Sequence, residues 1–247
     1  MDLTKTSNPA LTGNAFGVGG ATYGDAMTVS GAVNKTGLLL VCVTATAIWS
    51  WNLFARAPED ALPLLAVGGI GGFIMAMVTI FKKTWSPITA PIYALLEGLV
   101  LGSASAMINT RYPGIAMQAV GLTFGTLFAL LLAYRAGIIR ATEKFKLGVV
   151  AATGGIMVFY LVQFVLGFFG VRFATINGSG PIGIGISLFI VVIAALNLVL
   201  DFDMIESGAR MGAPKYMEWY SAFALMVTLI WLYLEILRLL TKLRDRN

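Results

Sequence analysis

The chain has 247 residues, of which 58% are hydrophobic and only 12% charged, with a formal net charge of +5 and a mean hydropathy of +0.84. A soluble domain carries roughly 25% charged residues, so this chain has too little polar surface to cover itself in water, and lipid is the solvent that fits. The absence of histidine removes Ser-His-Asp and Cys-His hydrolases, His-based zinc sites and haem-histidine ligation, and the lone Cys42, set in an apolar run, leaves no disulfide framework within one chain and reads as a small packed hydrophobe.

The stretch from Met1 to Asn34 is rich in Gly, Thr, Asn and Ser. It lacks the basic start and apolar run of a secretory signal, and it reads as a flexible hydrophilic tail. Seven apolar segments follow, at Thr36–Phe54, Leu62–Phe81, Ile88–Ile108, Ile115–Tyr134, Leu147–Phe169, Gly183–Ile205 and Tyr220–Leu240. Each is close to the roughly 20 residues that carry a helix across ~30 Å of hydrocarbon. Barrel strands would alternate over ~10 residues, and these runs are continuous. The expected fold is therefore an all-α membrane protein, a seven-transmembrane-helix bundle over residues 35–243 with a short tail at 244–247. Ala57-Pro58, Lys82 to Pro87, Tyr112-Pro113-Gly114, Arg135 to Lys146 and Asn177 to Pro181 break the segments. Gly68/Gly72 and Gly121/Gly125 form GxxxG pairs, which let helix backbones approach inside a bundle. Trp49, Trp51, Trp85 and Trp219 lie near segment ends, where they read as interfacial anchors.

The basic residues are not gathered on one soluble face, so nucleic acid is not an expected partner. Instead they orient the chain. One side of the first six segments carries Lys5, Lys35, Lys82, Lys83, Arg135, Arg140, Lys144, Lys146, Arg210 and Lys215, and the other carries Arg56, Arg111 and Arg172. The positive-inside rule puts the N-terminus in the cytoplasm. A full seventh crossing would place Lys242, Arg244 and Arg246 outside; a segment that dips in and returns would keep them inside. Both readings stand at this stage.

The informative residues are acids within apolar segments: Glu97 in the third, Asp201 and Asp203 late in the sixth, and Glu235 in the seventh. An ionised carboxylate in hydrocarbon costs several kcal/mol, so such groups face the bundle interior or water and find a partner. Asp201 and Asp203 could be the wet end of the sixth helix, Glu235 could simply pair with Arg238, and Glu97 could make a structural hydrogen bond. Two residues on a helix diverge by ~200°, so the two aspartates cannot point at one partner. Asn197 shares the face of Asp201, while Glu206 shares that of Asp203. Two carboxyls meeting in a low-dielectric bundle cannot both ionise cheaply, so such a pair would hold or share a proton. Carboxylate oxygens are also preferred ligands of Ca²⁺, so protons and Ca²⁺ would compete for them.

At these residues the sequence resembles the Bax inhibitor family, in its bacterial branch. The stretch Leu196-Asn197-Leu198-Val199-Leu200-Asp201-Phe202-Asp203-Met204-Ile205-Glu206 is similar to the family's sixth helix. Trp231 to Leu240 is similar to the seventh, Tyr93 to Leu99 to the third, and Ala213 to Tyr220 and Phe124-Gly125-Thr126 to bacterial members. The resemblance covers roughly Lys35 to Leu243. It implies a bundle around a central last helix and a pH-dependent calcium leak, attributed to an acid pair between helices six and seven. Asp203 and Glu235 match those positions, with Glu standing where the family often has Asp. Lys82 or Lys83 matches a basic residue that joins this latch.

The resemblance thus implies a pH-sensitive cation leak channel, with calcium as the transported ion and no cofactor. Asp203 and Glu235 would form the proton- and metal-binding pair, with Asp201 and Glu97 as further stations of an ion path. The alternative is a non-conducting regulatory protein that modulates a membrane protease or a stress response through its N-terminal tail. An intramembrane aspartyl protease lacks its Gly-x-Gly-Asp pattern here, and no enzyme is expected. The expected location is the bacterial inner membrane.

Overall fold

The computed structural model describes residues 26–170, 176 and 178–246. Residues 1–25 of the expected tail lie outside the described residues. Seven helices follow one another: α1 Val29–Arg56, α2 Pro58–Phe81, α3 Ser86–Arg111, α4 Ile115–Arg135, α5 Glu143–Phe168, α6 Pro181–Arg210 and α7 Met217–Arg246. All seven are long and apolar enough to cross a membrane, and the protein is an integral membrane protein.

The breaks act as their chemistry requires. Pro58 opens α2 and Pro181 opens α6, positions where the missing N–H costs nothing. Gly114, Gly137 and Gly212 take positive φ values of 82°, 71° and 65° at the turns around α4 and after α6, a conformation that glycine adopts without strain. α1 begins at Val29, five or six residues inside the stretch read as tail. Its start is set by tertiary contacts. The Thr28 hydroxyl caps it by accepting from the Gly31 N–H at 3.0 Å, and Met27 donates its N–H to the Ala213 carbonyl at 2.7 Å.

α7 is the central helix. It packs against α1, α3, α4 and α6, and 61% of its apolar window is buried, against 11% for α5. Met226, Leu232 and Leu237 of α7 are buried with Leu39 of α1, Ile115 of α4 and Leu198 of α6. In lipid such packing rests on dispersion and close approach, because acyl chains are as apolar as Leu. The closest approach joins α1 to α3. A Cβ on Gly98 would overlap the Val43 carbonyl oxygen, and one on Gly102 the Ala47 carbonyl oxygen. Gly68 does the same for α2, where a Cβ would lie 2.7 Å from the Leu96 carbonyl oxygen, and Gly72 faces Glu97. This GxxxG pair is internal packing. The pair at Gly121 and Gly125 meets open space instead, so it makes no close approach within the chain. Cys42 packs against the core, as its apolar setting suggests.

The seventh crossing is complete. α7 runs unbroken for 30 residues, about 45 Å at 1.5 Å per residue. At its far end Asp245 accepts from Arg111 at 3.3 Å, from the Tyr112 hydroxyl and from Ser179 at 3.3 Å. Those partners lie at the end opposite to the start of α1. Lys242, Arg244 and Arg246 therefore sit across the bundle from Lys35, Lys82, Lys83, Arg135 and Lys215.

Candidate functional site

One set of polar side chains within the bundle runs along α5, α6 and one face of α7. The sequence arranges them periodically. Lys146, Thr153 and Tyr160 recur every seven residues on α5, so they share one helical face. Each meets a polar residue of α6 or α7. The Lys146 ammonium lies 2.8 Å from Asp203 and 3.3 Å from Glu143. The Thr153 hydroxyl accepts from Asn197 at 2.8 Å. The Tyr160 hydroxyl donates to Glu235 at 2.7 Å and accepts from Arg238 at 2.6 Å.

Asp203 and Asp201 diverge, as their spacing requires. Asp203 turns to Lys146 at the basic end of the bundle, beside Glu206, which accepts from Tyr134 at 2.7 Å. Asp201 turns inward beside Thr228 of α7, and its Oδ2 is buried without a hydrogen-bond partner. Glu235 is buried, 2% exposed. Its Oε1 meets Tyr160 and, at 3.3 Å, Arg238; its Oε2 has no partner. Near Tyr160, the buried Gln163 Nε2 is also unpaired.

A direct Asp203–Glu235 pair, the expected latch, does not form. α6 and α7 run antiparallel, and Asp201 stands level with Thr228. Asp203 is then level with about residue 226 of α7, nine residues short of Glu235, or ~13 Å along the axis. The carboxylates occupy two stations, one countered by Lys146 and the other by Tyr160 and Arg238. Lys82 and Lys83, the expected latch bases, are exposed and take no part; Lys83 lies 5.2 Å over the Tyr220 ring. Glu97 lies elsewhere, half-buried between α2 and α3 against Gly72 and Tyr93. Among the described residues no three Asp, Glu or Cys side chains converge into a metal cage.

Two further polar clusters close the ends. At the basic end, Glu218 has no exposed side-chain surface, and its carboxylate meets Lys35 and Lys215 at 2.8 Å each. It also accepts from the N–H and the hydroxyl of Thr28 at 2.9 Å each. Gly31 packs directly on this carboxylate, with no room for a Cβ. At the opposite end, the buried Lys242 donates to the carbonyls of Ile176 and Gly183 at 2.9 and 3.0 Å. Sequence reasoning gave no site role to Glu218 or to the partners Lys35, Lys146 and Tyr160. The available signal was the heptad recurrence on α5, which is polar within an otherwise apolar run.

The arrangement is a file of ionisable and polar groups through the bundle. Along α7, the levels of Asp203, Asp201, Asn197, Glu235 and Lys242 succeed one another at intervals of about 3–10 Å. α5 covers this file, yet it buries only Val149 and Ile156 and packs chiefly against α6.

The family model described as Bax inhibitor 1 like matches residues 8–245, nearly the whole chain. No curated protein and no solved structure matches it.

Proposed function

The chain belongs to the Bax inhibitor 1-like family, and from that premise we propose that it is a pH-sensitive cation leak channel whose permeating ion is Ca²⁺. The observation that carries this reading is the polar file along α5, α6 and α7, with buried carboxyl oxygens of Asp201 and Glu235 left unpartnered. In a low-dielectric bundle such oxygens attract a proton or a cation. Ca²⁺ takes 6–8 oxygen ligands, and a file of single carboxylates, hydroxyls and amides offers it transient sites that it can leave. Conduction needs weak, successive sites of this kind.

Gating then works through two stations. The Lys146–Asp203 ion pair ties α5 to α6 at the basic end, and the Tyr160–Glu235–Arg238 cluster ties α5 to α7. Protonation of either carboxylate removes the charge that holds its partner, which loosens α5 over the file. The protein would sit in the bacterial inner membrane with its basic end in the cytoplasm.

Ca²⁺ entry into proteoliposomes tests the proposal. Flux should vary with pH, and Asp201→Asn should reduce it at every pH. Folded protein that gives no flux above empty liposomes overturns the channel. The second reading, a regulator without conductance, would need a partner for the N-terminal segment. Residues 26–35 are bound to the α6–α7 turn, which leaves residues 1–25 for such a partner. Deleting residues 1–25 should leave flux intact if the protein conducts.

A further inference from the structure

We propose that the cavity between α1 and α4 is a binding site for one acyl chain of a membrane phospholipid. The cavity has a volume of about 630 Å³ and is lined from α1, α3, α4 and α7. That is the size of a small-molecule site, typically ~300–1,000 Å³. No Asp, Glu, Lys or Arg lines it, and it lies apart from the polar file. α7 divides the two: Met226, Leu229, Ile230 and Tyr233 face the cavity, while Thr228, Glu235 and Arg238 lie on the opposite helical face.

Three observations choose the occupant. First, the cavity opens to the bilayer. α1 and α4 both line it, yet they are not packed along each other, and Ile48 and Met117 at its sides are 58% and 75% exposed. Second, its depth is that of one leaflet. It runs from Leu40 to Asn52 on α1 and from Gly114 to Phe124 on α4, about 18 and 15 Å, against half of a ~30 Å hydrocarbon core. Third, its polarity is graded. In the depth, Ser105 and Tyr233 bond each other at 2.6 Å and Thr123 bonds the Ala119 carbonyl at 2.8 Å, which leaves an apolar wall. At the mouth, near the ends of α1 and α3, stand the amides of Asn52 and Asn109. Asn109 spends its Oδ1 on the Gly114 N–H, so its NH₂ can donate to a lipid ester carbonyl.

An apolar cavity does not hold water, and an empty one forfeits the dispersion of its lining. Acyl chains are the apolar molecules that surround this protein, and the leaflet opposite to the basic end delivers one at the right depth.

The test uses the full chain, purified in mild detergent and examined by native mass spectrometry with lipid extraction. One phospholipid per chain should survive delipidation of the wild type. Thr44→Phe/Val120→Phe, which fills the cavity from both walls, should lower that occupancy about tenfold or more. Val158→Phe on exposed α5 should leave it unchanged. No retained lipid, a free fatty acid in its place, or equal retention by the filled variant overturns the proposal. If the filled variant does not fold, spin-labelled phospholipid with unmodified protein decides: a slowly exchanging component of one lipid per chain supports the site, and its absence overturns it.

Discussion

Replacing Glu218 by Ala should detach the start of α1 from the α6–α7 turn. The carboxylate has no exposed surface, meets two ammonium groups at 2.8 Å and accepts two hydrogen bonds from Thr28 at 2.9 Å. Breaking a buried ion pair from one side costs about 3–5 kcal/mol. Here Lys35 and Lys215 keep 23% and 48% of their side-chain surface, so both can rehydrate, and the lower end applies. The expected loss is about 3 kcal/mol, roughly a hundredfold in the folding equilibrium. Glu218→Gln keeps an acceptor for Thr28 but no charge for the lysines, and it should fall between. Unfolding in mixed micelles, titrated with SDS and followed by circular dichroism, measures the loss. Proteolysis within residues 26–34 should accelerate in parallel. A loss below about 1 kcal/mol, the range of an ordinary surface pair, with unchanged proteolysis would refute the reasoning.

Other outcomes follow from the same geometry. Gly98→Val should force α1 and α3 apart and cost about 1–3 kcal/mol or more, seen as a lower Tm, while Gly121→Ala, facing open space, should change stability by less than about 0.5 kcal/mol. Lys242→Met should take from the Ile176 carbonyl its Lys242 donor and cost about 1–3 kcal/mol in the same unfolding assay. Tyr160→Phe and Glu235→Gln should be coupled by about 0.5–3 kcal/mol in a double-mutant cycle, because their hydroxyl and carboxylate bond directly at 2.7 Å.

Much of the fold was legible because lipid imposes it. Each helix must satisfy its own backbone, so seven apolar runs bounded by Pro, Gly and charge give seven helices, their ends within five residues of expectation except at the start of α1 and the end of α7. The first exception is instructive. Val29 to Asn34 holds little that predicts a membrane helix, and it folds as one because Thr28 and Lys35 dock on Glu218, about 190 residues away. The divergence of Asp201 and Asp203 was legible from the 3.6-residue period. The separation of Asp203 from Glu235 was not, because it depends on the register of α6 against α7. That register is set by packing across the interface, where Asp201 meets Thr228. Glu218 was missed because a charged residue in a short turn looks solvated, and only the approach of Gly31, Lys35 and Lys215 buries it.

The central claim is that acids at two separate stations control one cation path. The most direct measurement is Ca²⁺ flux into proteoliposomes across a pH series, for the wild type, Asp203→Asn, Glu235→Gln and the double variant. Groups ~13 Å apart should act nearly additively. Each single variant should therefore remove part of the pH dependence, and the double variant should remove the sum. If either single variant abolishes it and the double adds nothing, the carboxylates act as one unit and the two-station account is contradicted.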